Sequence, residues 1–159
     1  MPSLVGSEMC IRDRDNVASH DFAETADFNA TGGDITVEDV DGIQLGTVTL
    51  AANADPTIAT NAGDLNLTAN GPVTQTGALT VPGVTQVTTT ADPVSLNNAG
   101  NDFTGPVSVD TGTGAAVALT DANAIDLGTV TGSTLEVTAG TDITDSGVCL
   151  LYTSDAADE

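Results

Sequence analysis

The sequence predicts an all-β chain wound as a parallel β-helix, a β-solenoid of short coils. Three observations carry the prediction: short apolar-polar-apolar triplets, turn residues in nearly every gap between them, and recurrence of the triplets at a constant spacing along the chain. Composition agrees, since 40% of the 159 residues are apolar but only 3% are aromatic, which suits a narrow interior filled by small side chains. An antiparallel β-sandwich is the alternative, because turn signals at short and even spacing fit that architecture too.

The triplets are clearest in the C-terminal half: Val107-Ser108-Val109, Val117-Ala118-Leu119, Ile125-Asp126-Leu127, Leu135-Glu136-Val137 and Ile143-Thr144-Asp145. Each has the period of a strand with one buried face. Longer and shorter steps alternate between their starts, so the interval from Val107 to Ile125 equals that from Ile125 to Ile143 and that from Val117 to Leu135. The gaps hold turn chemistry, as in Asp121-Ala122-Asn123 and Thr111-Gly112-Thr113-Gly114. A chain that advances one coil per period, roughly 18–22 residues, stacks like triplet on like triplet. Residues 15–148 then make about seven coils and a rod on the order of 35 Å long, at about 4.8 Å per strand.

A longer repeat overlies the short one. Residues 35–49 align with 117–131 at an offset of 82, with seven of fifteen positions identical, among them Asp39 with Asp121 and Leu45-Gly46-Thr47-Val48-Thr49 with Leu127-Gly128-Thr129-Val130-Thr131. At an offset of 70, Leu65-Asn66-Leu67-Thr68-Ala69 falls on Leu135-Glu136-Val137-Thr138-Ala139, and Gly77 on Gly147. The change of offset leaves the first copy with an extra stretch around Asn53 to Asn61, which reads as a loop. The copies span about 27–77 and 102–147, and Asp27-Phe28 and Asp102-Phe103 are expected to mark the same starting place in each.

The two ends differ from everything between them. Both Cys, both Arg, the one Tyr and Met9 lie in Ser7–Arg14 or Cys149–Ser154. If Cys149 to Ser154 is encoded TGT CTC TTA TAC ACA TCT, the reverse complement read from its third base spells Met9 to Asp13 and opens an Arg codon. Complementary coding at opposite ends of one frame resembles translated transposon adapters from a sequencing library. Residues 1–14 and 149–159 are therefore expected to be adapter-derived and 15–148 to be the solenoid proper. Within 15–148 there is no Lys, Arg, Cys, Met, Tyr or Trp, and 18 acidic side chains stand unbalanced. Cys10 and Cys149 thus support no disulfide or redox argument.

Charge excludes a whole class of partner. With 23 acidic against 2 basic side chains and a net charge of -21, the chain lacks the clustered Lys and Arg that nucleic acid requires. No apolar run is long enough to cross a membrane as a helix.

Phrases such as Asn98-Ala99-Gly100-Asn101-Asp102-Phe103-Thr104-Gly105 and Leu135-Glu136-Val137-Thr138-Ala139-Gly140-Thr141-Asp142-Ile143-Thr144 resemble the repeats of filamentous haemagglutinin-like exoproteins. Those are large bacterial adhesins exported by two-partner secretion, and autotransporter passengers are similar. The resemblance covers most of residues 27–148. It implies a right-handed parallel β-helix shaft on the outside of a Gram-negative-type cell, with neighbouring repeats as its immediate contacts and a surface glycan or protein receptor as its partner.

Chemistry has few carriers. His20, the sole imidazole, precedes the first clear strand and is read as a solvated residue. Lyases that abstract a proton beside a carboxylate need a cationic group, and residues 15–148 hold no Lys or Arg. A hydrolase needs only two carboxylates at a fixed separation, but abundance of acids does not single out a pair. Val37-Glu38-Asp39-Val40-Asp41-Gly42 fails as a calcium loop because Val37 and Val48 would fill ligand positions. Gly32-Gly33-Asp34 is an unrepeated hint of a calcium-binding nonapeptide. Asp39, Asp41, Asp121 and Asp126 are read as turn residues first and weak cation ligands second, and the Asn29-Ala30-Thr31 and Asn66-Leu67-Thr68 sequons as polar strand and turn residues. No catalytic, cofactor-binding or metal residue is singled out, and the expectation is a shaft or adhesive segment, not an enzyme. A calcium-dependent or polysaccharide-acting module on the same coil is the alternative.

Overall fold

The computed structural model describes residues 3–5, 9–11, 22, 24–52, 62–112 and 114–151, with the first two segments as backbone only. The strands run in the order β1 (Ser3–Val5), β2 (Met9–Ile11), β3 (Ala26–Thr31), β4 (Ile35–Asp39), β5 (Ile43–Ala51), β6 (Leu65–Ala69), β7 (Val73–Gln75), β8 (Leu79–Val81), β9 (Thr85–Thr89), β10 (Val94–Leu96), β11 (Asp102–Phe103), β12 (Val107–Asp110), β13 (Ala116–Asp121), β14 (Ile125–Gly132), β15 (Thr134–Ala139), β16 (Ile143–Asp145) and β17 (Cys149–Leu151). They form two sheets. One follows the path β1-β3-β5-β7-β10-β13-β15 with β8 and β11 beside it, and the other β2-β4-β6-β9-β12-β14-β16 with β17 beside it.

Because the chain alternates between the sheets and every strand pairing among the described residues is parallel, it winds as a β-solenoid. The antiparallel sandwich is excluded by the same pairings. Each sheet offers its period-2 apolar face to the other: Ile35, Val37, Leu65, Leu67, Val87, Val107 and Val109 from one, and Leu45, Val48, Val73, Val94, Leu96, Val117 and Leu119 from the other, are all buried. Phe28 and Phe103 are the two buried aromatic rings among mostly aliphatic neighbours. At about 25 cal/mol per Å², each such Val or Leu contributes about 1.5–3 kcal/mol by leaving water.

Coil length varies more than the triplets indicate. Val117 lies opposite Leu135 and Ile125 opposite Ile143, both at the anticipated interval. Val107, however, pairs with Leu127 and not with Ile125, and Val109 pairs with Val130. A bulge between these pairs takes up an extra residue. Further back every coil is longer than the one from Val117 to Leu135: Thr85 lies opposite Val107, Leu65 opposite Thr85, and Ile35 opposite Leu65. The last of these is the longest and carries the insertion between Ala51 and Leu65, whose residues 53–61 lie outside the described ones. Longer coils mean fewer of them: residues 15–148 make about six turns, not seven.

The long repeat has a geometric meaning. β4 and β5 align in sequence with β13 and β14, yet β4 and β14 share one sheet while β5 and β13 share the other. The repeat therefore carries its unit through an odd number of half-turns, and the two copies face opposite sides of the solenoid.

Candidate functional site

The identical Leu-Gly-Thr-Val segments build the same local feature twice. In β5 and β14, Leu45-Gly46 and Leu127-Gly128 are buried in succession, breaking the alternation, and each strand shifts register against the strand before it. The bulge leaves one N–H free in each copy. Thr47 donates it to Asp27 Oδ1 at 2.6 Å, and Thr129 donates it to Ser108 Oγ at 3.1 Å. Glycine is required beside these bonds, because a Cβ at Gly46 would strike Asp27 Oδ1 and one at Gly128 would strike Ser108 Oγ. The next coil approaches as closely: a Cβ on Gly77 would lie 2.5 Å from the backbone of Gly46 and Thr47, and Gly147 meets Gly128 in the same way.

Each bulge adjoins a shallow surface depression. Asp27, Phe28, Asn29, Thr47 and Thr49 line one of about 170 Å³. Their repeat counterparts Ser108, Val109, Asp110, Thr129 and Thr131, joined by Gln86 and Val87, line one of about 250 Å³ on the other sheet. Each offers hydroxyl groups beside a single carboxylate. Such a lining can exchange hydrogen bonds with a hydroxylated ligand, but it has no exposed aromatic ring to stack on one.

Asp39 and Asp121 are buried, at 4% and 2% exposure, and do equivalent work. Asp39 Oδ1 accepts from Asp41 N at 2.8 Å, closing its own turn, while Oδ2 accepts from Phe22 N at 3.1 Å in the preceding coil. Asp121 Oδ1 accepts from Asn123 N at 2.6 Å and Oδ2 from Phe103 N at 2.7 Å. Both are turn residues, as the sequence suggests, and they also brace coil to coil. The matching starting place is corrected by this pair: Phe22, not Phe28, is the counterpart of Phe103, because it is Phe22 that bonds the repeated aspartate. Phe28 lies within β3, and the rings of Phe22 and Phe28 meet edge to face with centroids 6.2 Å apart.

The remaining acids are dispersed. Asp41 is exposed, and half-buried Asp126 accepts from Thr144 Oγ1 at 3.2 Å. Asp34, in the glycine-rich hint, accepts from Gly63 N and Asp64 N at 3.2 and 2.9 Å, so it too joins coils. No cluster of three His, Cys, Asp or Glu side chains suited to a metal ion occurs among the described residues. His20 lies outside them. Asn29 is exposed on β3 and Asn66 is half-buried on β6.

Two buried polar residues escape sequence reasoning. Asn101 is fully buried and joins three coils: its Oδ1 accepts from Leu79 N and Gln75 Nε2 at 3.0 and 2.8 Å, and its Nδ2 donates to Gln75 Oε1, Leu96 O and Thr120 O at 2.9, 3.1 and 3.1 Å. Its sequence position carries no periodic signal. Thr85 occupies an inward strand position, and its buried Oγ1 has no hydrogen-bond partner.

No curated protein and no solved structure matches the chain. A family described as repeats of unknown function (DUF5649) matches residues 32–110 and 114–156, about three quarters of the sequence. The two matched segments begin at Gly32 and Gly114, the same offset that superposes the two bulges and the two buried aspartates. The chain therefore belongs to the family of repeats of unknown function (DUF5649).

Proposed function

We propose that this chain is a segment of the shaft of a large secreted bacterial exoprotein of the adhesin type, displayed at the cell surface, where its work is reach and display and not catalysis. The observation that carries this reading is the build of the molecule: a continuous aliphatic column inside, a polar wall outside, and coils that differ mainly in length. Such a design extends by adding coils without redesigning any of them. The polar depressions beside Thr47 and Thr129 are the natural contacts for a glycan or protein receptor, and two-partner secretion or an autotransporter route would deliver the chain to the surface.

Long-read sequencing of the source DNA across this locus, with adapter sequence removed, tests the proposal. The expected result is a reading frame of thousands of codons with further copies of the repeat behind an export domain. A short gene that ends near Val148 and has no export domain would refute it.

A further inference from the structure

We propose that the C-terminal end face of the solenoid docks the opposite end of a second copy of this chain, forming head-to-tail rods. β15, β16 and β17 make the last rung. Each bonds through one edge to β13 or β14 and has no strand on its other edge among the described residues. Side chains that are interior elsewhere lie open there. Ile143 is 53% and Leu151 48% exposed, whereas Ile125, one coil back from Ile143, is fully buried. Leu135 and Val137 are half-buried although Val117 and Leu119 opposite them are buried, and Val148 and Leu150 add further apolar surface.

The fold identifies what fits this face. A parallel ladder has direction: every internal contact sets the trailing edge of one coil against the leading edge of the next, in the same orientation. At the other end β1 and β2 stand last in their sheets, each with a leading edge that has no strand on it among the described residues. The last rung of one copy therefore meets the first rung of another as β14 meets β16, and a second copy brings that rung already formed. The contact is heterologous, and it builds open rods instead of closed dimers. No lysine guards the edge. What opposes association is charge, -21 on each copy with Glu136, Asp142 and Asp145 in the last coil, and salt screens it.

Sedimentation velocity and negative-stain imaging at about 10 mM and about 1 M salt test the proposal. The unmodified chain is expected to raise its weight-average mass about twofold or more at the higher salt, with particles that lengthen at constant width. Ile143→Lys is expected to stay monomeric at both salts with an unchanged far-UV spectrum. Leu151→Lys, on the same face, provides the same reading should Ile143→Lys lose its fold. Thr68→Lys changes the charge equally on the exposed side wall and should assemble as the unmodified chain does. Monomers of the unmodified chain at high salt, lateral sheets in place of longer rods, or assembly of both end-face variants would overturn the proposal.

Discussion

At the scale of single residues, polar groups inside the coil hold the winding together, and they separate into satisfied and unsatisfied cases. Asp121 accepts two backbone N–H groups, one in its own turn and one from the preceding coil. Asp121→Ala strands the buried Phe103 N–H, so it should cost about 2–3 kcal/mol in urea denaturation. A loss below about 0.5 kcal/mol would show that the bracing role is wrong. Thr85 is the opposite case, because its hydroxyl is buried without a partner. Thr85→Val keeps the shape and removes that desolvation cost, and a gain of about 1 kcal/mol is expected; a loss would mean the hydroxyl has a partner after all. Burial, and then the Asp145 carboxylate, push the Cys149 thiol above its ordinary value. Iodoacetamide at about pH 8 should therefore alkylate it more slowly in the folded chain than in urea, and equal rates would contradict that placement.

At the scale of elements, the strands that keep strict alternation are legible in the sequence and the ones that break it are not. Val117-Ala118-Leu119 and Leu135-Glu136-Val137 fall within β13 and β15, and Ile143-Thr144-Asp145 is β16, because an apolar-polar-apolar triplet has one strand reading wherever turn residues flank it. The triplet spacing sets Val107 against Ile125, whereas the bulge at Gly128 moves its partner to Leu127. A bulge leaves no periodic trace; it shows only as a run shared by the two copies, here Leu-Gly-Thr-Val-Thr. The candidate acids are legible as turn residues, but that Asp39 and Asp121 are buried depends on the Phe22 and Phe103 amides of another coil, which local sequence does not contain. The glycine contacts make the bulge testable. Gly77→Ala drives a Cβ into the backbone of Gly46 and Thr47, which cannot rotate away, and should cost about 1–3 kcal/mol by thermal or urea unfolding. An unchanged midpoint would show that the coils are farther apart there.

At the scale of the whole molecule, an aliphatic column is wrapped in a wall of one charge sign. The net charge of -21 with two basic residues leaves mutual repulsion with little to offset it. The thermal midpoint at low protein concentration should therefore rise between about 10 mM and about 1 M salt, by about 5 °C if screening recovers about 1–2 kcal/mol. A flat response would mean that the carboxylates are too far apart to matter. Everything else at this scale rests on coils stacked in parallel, which is what makes the chain a shaft. The direct test is a disulfide between Thr68→Cys and Thr88→Cys, introduced with Cys10→Ser and Cys149→Ser. These residues are register partners on β6 and β9, at the spacing of about 4.8 Å that parallel neighbours keep, within the span a disulfide bridges. Parallel stacking predicts complete cross-linking under mild oxidation with an unchanged far-UV spectrum. A pair that stays reduced in the folded chain would contradict it.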